Sequence, residues 1–251
     1  VAHYIDEGVE DYSLEAAMSK VYASEAIQRC AHEALQIAAG NGFMREFPYE
    51  MITRDARILS IFEGTNEILR LYVALSGMKD VGESLNEIRK AVAGIFSDPI
   101  KGFGVLSSYA GKRISNATGF RADRILNQID PGLKPAVEIY EKYTRELSAA
   151  ADGLLRKYGK KITEFQFEQK RLGEIAIDLF VGLCTLSRAN TLAQQGDANA
   201  AQAIRIAALF AQQAKRRMAA NIRGMLKNED PERDALAGFA LEQGRYPWDV
   251  I

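Results

Sequence analysis

Apolar residues three and four positions apart recur in long blocks along this chain, while Val/Ile/Thr runs alternating with polar residues at period two are absent. The pattern predicts an all-α fold. Ser13 reads as the N-cap of a first long helix that carries Leu14, Ala17, Met18, Val21, Ile27, Ala31 and Leu35 and stops at Gly40. A short helix is expected over residues 49–60 and another from Thr65 or Asn66 to about Ser76. Glycines at 82, 94, 102, 104, 111 and 119, with Pro99, break the next stretch and mark residues 80–130 as a seam between domains. Beyond Pro131 three long stripes follow, Leu133 to Tyr158, Phe165 to Leu186 and Ile204 to Met225, as an antiparallel bundle with short loops requires. Asp230-Pro231 opens a last short helix, and Tyr246-Pro247-Trp248 reads as an irregular tail.

Composition narrows the class of function. With 251 residues, 47% of them hydrophobic, and only 6 Pro, the chain can bury a core and is neither disordered nor collagenous. Its 32 Lys plus Arg against 33 Asp plus Glu leave a net charge of −1, which argues against a nucleic-acid partner held by an overall basic surface. Cys30 and Cys184 match no metal spacing or disulfide scaffold, and His3 and His32 stand alone, so no metal is expected. No run is long and apolar enough to span a membrane, and no signal segment opens the chain. The chain opens on Val1 and soon enters a helix, so it is expected to begin inside a larger protein.

Chemistry is concentrated in residues 54–70, RDARILSIFEGTNEILR. Glu63 follows Ile61 and Phe62 and precedes Gly64 where a helix begins. A carboxylate between apolar neighbours at a tight turn is a candidate general base, because desolvation raises its pKa and the glycine admits a substrate to the backbone. Position alone leaves the alternative open that Glu63 only favours a helix N-terminus. Gly40 and Gly42 likewise read from position alone as helix-ending residues.

Three motifs in order, Gln36-Ile37-Ala38-Ala39-Gly40-Asn41-Gly42-Phe43, Arg54-Asp55-x-Arg57-Ile58 and Ile61-Phe62-Glu63-Gly64-Thr65-Asn66-Glu67-Ile68-Leu69, resemble the C-terminal helical domain of the acyl-CoA dehydrogenases. Further on, Lys160-Lys161-Ile162, Gln166, Arg171-Leu172, Ala176-Ile177-Asp178-Leu179 and Leu186-Ser187-Arg188-Ala189 resemble the helical extension of the family's very-long-chain branch. The resemblance divides the chain into residues 1–79, the end of the catalytic bundle, and 80–251, the extension.

The resemblance implies that Glu63 removes the α-proton of an acyl-CoA thioester while the β-hydrogen leaves as hydride to FAD. It also implies that the backbone N–H of Glu63 helps polarise the thioester oxygen and that Gly64 touches substrate. Thr65, Asn66 and Glu67 match FAD-contacting positions, and Gln36, Ile37, Ala38, Ala39 and Gly40 match a segment that meets the ADP part of FAD from the neighbouring subunit. Ala39 stands where a glycine is usual. An electron-transfer flavoprotein as acceptor, a homodimer, and a location in the cytoplasm of a bacterium or on the mitochondrial matrix side in a eukaryote are what the family suggests. The family's N-terminal helical domain and middle β-domain have no counterpart in the sequence, so this chain alone is expected to be colourless and inactive. Lys112, Arg113, Arg121 and Arg124 lie where that branch is associated with membrane-surface contact, although a solvated surface accounts for them too. A second reading, from another class, is a helical assembly or dimerisation module built on the same scaffold without catalysis.

Overall fold

The structure is a computed structural model that describes residues 1–93, 129–245 and Trp248. Among the described residues every regular element is a helix: α1 (Ala2–Asp6), α2 (Ser13–Ile37), α3 (Gly40–Phe43), α4 (Tyr49–Ile58), α5 (Asn66–Ala93), α6 (Lys134–Tyr158), α7 (Gln166–Gln194), α8 (Ala200–Leu226) and α9 (Asp230–Gln243). Short 3-10 turns, Pro131–Leu133 and Gly159–Glu164, lead into α6 and join it to α7. None of the described helices is long and apolar enough to cross a membrane.

Two boundaries differ from the sequence reading. Helix α2 starts at Ser13 itself, because Asp11 is the residue that ties the entry: its carboxylate accepts from the backbone N–H of Ser13 at 3.0 Å and from its hydroxyl at 2.7 Å. Those two bonds hold the Asp11 pKa below its ordinary value. Helix α5 does not stop near Gly77 but runs on to Ala93. An isolated glycine costs a helix about 1 kcal/mol against alanine, but without a proline or a left-handed turn it does not end one. Ala74 and Met78 on either side of it are buried and keep the helix seated. Residues 94–128 of the expected seam, with Lys112, Arg113, Arg121 and Arg124, and Tyr246-Pro247 of the tail lie outside the described residues.

The long helices α6, α7 and α8 form the expected antiparallel bundle around Leu133, Val137, Tyr140, Ile175, Leu179 and Met218. Ala207, Ala211 and Ala214 give α8 a small-residue face with almost no exposure, so it lies close against its neighbours. Full burial of side chains such as Leu133, Ile175 and Met218 contributes about 1.5–3 kcal/mol each. Helix α7 is apolar on several sides, and each side meets a different neighbour. Leu172 joins Ala74, Met78, Ala151 and Leu154 of α5 and α6, while Ile177 joins Val21 of α2 and Val73 of α5. The bundle of α6, α7 and α8 is thereby packed directly against α2 and α5, the helices beside the candidate site.

Candidate functional site

Helix α4 packs antiparallel along α2 and ends at Ile58, and the chain then turns sharply before α5. The turn is closed at its neck by the backbone N–H of Asn66 donating to the Ser60 carbonyl at 3.0 Å. At its tip Glu63 has φ 55° and Gly64 φ 90°. A left-handed conformation costs a residue with a Cβ about 1–2 kcal/mol, and such strain persists only where surrounding contacts impose it.

Those contacts come from α2. The Lys20 ammonium donates to the Gly64 carbonyl at 2.7 Å and to Asn66 Oδ1 at 2.9 Å. Asn66 is 2% exposed and forms the centre of the brace. Its Nδ2 donates to the Ser24 hydroxyl at 2.9 Å and to Glu25 Oε1 at 3.2 Å. Burial lowers the Lys20 pKa, and Glu67, Glu25 and Glu63 oppose that change. Thr65 accepts a long bond of 3.4 Å from the Ile68 N–H, a weak cap for the first turn of α5. One turn on, the Arg70 guanidinium donates through NH2 to Glu25 at 2.7 Å and through Nε to Glu174 of α7 at 2.5 Å.

Glu63 itself points to the surface, and Ile61, Phe62, Gly64 and Glu67 are exposed around it. The desolvation expected for its carboxylate is therefore not supplied by this chain. Glu63, Gly64, Thr65, Asn66 and Glu67 form one contiguous group, but Gln36, Ile37, Ala38, Ala39 and Gly40 do not join it. The latter lie at the far end of α2, about 24 Å from Lys20 at 1.5 Å of helical rise per residue. Gln36, Ile37, Ala39 and Gly40 are exposed, and nothing lies within 4 Å of where a Cβ of Gly40 would stand. Ala39 is the other described residue with a Cβ at positive φ, 51° with ψ −128°. Gly42 has a local cause, since a Cβ there would collide with the carbonyl oxygen of Leu35.

The exposed turns at 36–40 and around 63–67 fit the surface of a long anionic cofactor that touches the chain in two places. Asn66 does not fit as a side-chain contact: its amide is committed to α2, which makes it a brace behind the turn. Sequence reasoning missed Lys20, Ser24, Glu25, Arg70 and Glu174. The available signal was polar residues set into apolar stripes, Lys20 and Ser24 beside Ala17 and Val21, and Arg70 between Leu69 and Leu71. Among the described residues no group of three His, Cys, Asp or Glu is placed to hold a metal.

Comparison with known proteins bears on this geometry. Residues 1–78 match the family model described as acyl-CoA dehydrogenase, C-terminal domain, and residues 131–238 match ACAD9/ACADV, C-terminal domain. The very long-chain specific acyl-CoA dehydrogenase, mitochondrial, of Rattus norvegicus is 37% identical over 193 residues, which is 76% of this chain and 29% of that protein. The short-chain specific enzyme of Bos taurus is 47% identical over 73 residues, 29% of this chain and 18% of the enzyme. A solved acyl-CoA dehydrogenase from Bacillus anthracis, complexed with FAD, superimposes with a TM-score of 0.67 at 24% identity, covering 95% of this chain and 38% of that one. The chain thus spans less than a third of the length of these curated relatives.

Proposed function

The chain belongs to the acyl-CoA dehydrogenase family, corresponding to its C-terminal region, and from that premise we propose that it supplies the proton-abstracting base for FAD-dependent α,β-desaturation of acyl-CoA thioesters, with long chains preferred. The observation that carries the reading is the turn at Glu63: a surface residue at φ 55° beside Gly64, whose carbonyl is held by Lys20, itself bonded to the buried Asn66. Residues 1–79 act as the end of the catalytic bundle and residues 80–251 as the extension.

In this reading Glu63 takes the α-proton of the thioester, and its backbone N–H lies where the thioester oxygen gains enolate charge. Gly64 leaves room for the substrate at the turn. Its carbonyl, held by Lys20, fixes the plane of the Gly64–Thr65 peptide. FAD, when bound, would supply the acceptor for the hydride that leaves the β-carbon. Thr65 and Glu67 at the rim, and Gln36, Ile37, Ala38, Ala39 and Gly40 at the other end of α2, are the residues for cofactor contact, the second group toward the cofactor of a partner subunit. Asn66 acts from behind. An electron-transfer flavoprotein as acceptor, a homodimer and a mitochondrial or bacterial cytoplasmic setting follow as parts of the same proposal.

Replacing Glu63 with Gln in the full-length protein keeps shape and hydrogen bonding but removes the base. Reduction of a dye by acyl-CoA is expected to disappear while flavin stays bound. Retained turnover would refute the assignment of the base to Glu63, whereas a full-length protein that holds no flavin and turns over no acyl-CoA would favour the non-catalytic assembly module.

A further inference from the structure

The polar contacts behind the turn do not end in the catalytic bundle. Arg70, whose side chain is 9% exposed, is shared between Glu25 of α2 and Glu174 of α7, and its NH1 also donates to the Asn66 carbonyl at 3.3 Å. Glu25 Oε1 accepts from both Arg70 and the Asn66 amide. Asn66 in turn holds Lys20, and Lys20 holds the Gly64 carbonyl. An unbroken chain of charge-assisted bonds therefore joins the extension to the residue that follows the base. The helices also meet as backbones at this place: a Cβ on Gly173 would stand 2.6 Å from the Arg70 carbonyl oxygen. Helix α7 is thereby pressed against α5 at the residue beside Glu174.

We propose that Glu174 is a positioning residue for the reaction, acting on Glu63 through Arg70, Glu25 and Asn66; the proposal rests on the reading of Glu63 as the base. Arg70 is paired with both Glu25 and Glu174, while Lys20 lies in the field of Glu67, Glu25 and Glu63. A buried guanidinium that loses one carboxylate draws on the other, because an uncompensated charge in low dielectric is expensive. Without Glu174, Arg70 takes Glu25 away from Asn66. Asn66 then turns from Lys20, and the strained turn at 63–64 loses the contact that imposes it. The extension thus sets the geometry of the base as well as covering a surface.

The test uses the full-length protein. Glu174→Gln is expected to lower kcat about tenfold with KM within about twofold, since positioning acts on the transition state more than on binding. Flavin content should not change, and amide hydrogen exchange at residues 63–66 should quicken about tenfold or more. Asn66→Ala should lower kcat similarly, and adding Glu174→Gln to it should cost no more than about a further twofold, because both act along one path. Glu174→Asp should restore part of the loss. Asp230→Asn provides the control. It breaks an equally tight pair in the extension, where both arms of Arg171 reach Asp230 at 2.6 Å, and should lower the Tm while leaving kcat unchanged. Should Glu174→Gln fail to fold, Arg70→Lys keeps the charge, cannot span both carboxylates and carries the same expectations. The proposal is overturned by unchanged exchange at 63–66, by multiplying losses in the double variant, or by an equal fall in kcat for Asp230→Asn. Activity in Glu63→Gln would remove the base reading alone, while the exchange data would still report whether Glu174 holds the turn.

Discussion

Among the described residues two with a Cβ sit at positive φ, Ala39 and Glu63, and they differ in what the strain accomplishes. At Glu63 it aims a carboxylate, and a glycine would relieve the strain only by removing the functional group. At Ala39 the side chain is exposed and a methyl does nothing that the turn needs. The conformation, φ 51° with ψ −128°, suits glycine, which is also what the motif resemblance expects at this position. Backbone strain of about 1–3 kcal/mol, less the 0.5–1 kcal/mol or so of extra freedom that glycine gives the unfolded chain, leaves a net gain near 1 kcal/mol. Ala39→Gly should therefore raise the urea midpoint of the chain with its m-value unchanged. A lower midpoint would show that a contact made by the methyl outweighs the strain.

At the scale of elements, the helices were legible because each has an apolar stripe at helical spacing, and α6, α7 and α8 need only such stripes to form a bundle. The run of α5 through Gly77 was not legible, since its continuation depends on Ala74 and Met78 being buried by α6 and α7. Glu63 could be singled out from neighbouring residues. The brace could not, because residues 20, 25, 66, 70 and 174 come together only when α2, α5 and α7 pack. The same kind of pairing joins α7 to α8. Asp178 is buried, and Arg217 reaches it through Nε at 3.0 Å and NH2 at 2.6 Å. Burial raises the Asp178 pKa above 3.8, and the attraction of Arg217 does not fully offset it, while Glu174 adds to the rise. The favoured protonated form contributes stability below the unfolded value of 3.8, and that contribution is lost as pH rises through the raised folded value. Relative to the native chain, Asp178→Asn should therefore fare better near pH 7 than near pH 4. Urea midpoints of both proteins at the two pH values check this. A variant that instead loses ground toward neutrality would show that pairing with Arg217 outweighs burial.

At the scale of the molecule, the candidate residues other than the buried Asn66 and the half-buried Ala38 and Thr65 face outward. Glu63 and its apolar neighbours are exposed at one end of α2, while at the other Ile37 is 84% exposed and Phe43 81%. Met44, Met51, Ile58 and Ile68 add to an apolar surface that no described residue covers. Ligand pockets bury most of a cofactor's surface, and an isoalloxazine ring requires walls on both faces. Here Gln36, in one of the two groups proposed to meet FAD, stands about 24 Å along α2 from Lys20, which holds the turn that carries the other. Each group offers a single wall, so flavin bound to this chain alone would stay largely in water. Residues 1–251 produced by themselves should thus be colourless after dialysis against buffer containing FAD, and acyl-CoA should reduce no dye. Their exposed apolar surface should at the same time brighten a hydrophobic dye such as ANS. A retained flavin absorbance band would mean that the two ends of α2 each hold more of the cofactor than one wall, and would return catalysis to this chain alone.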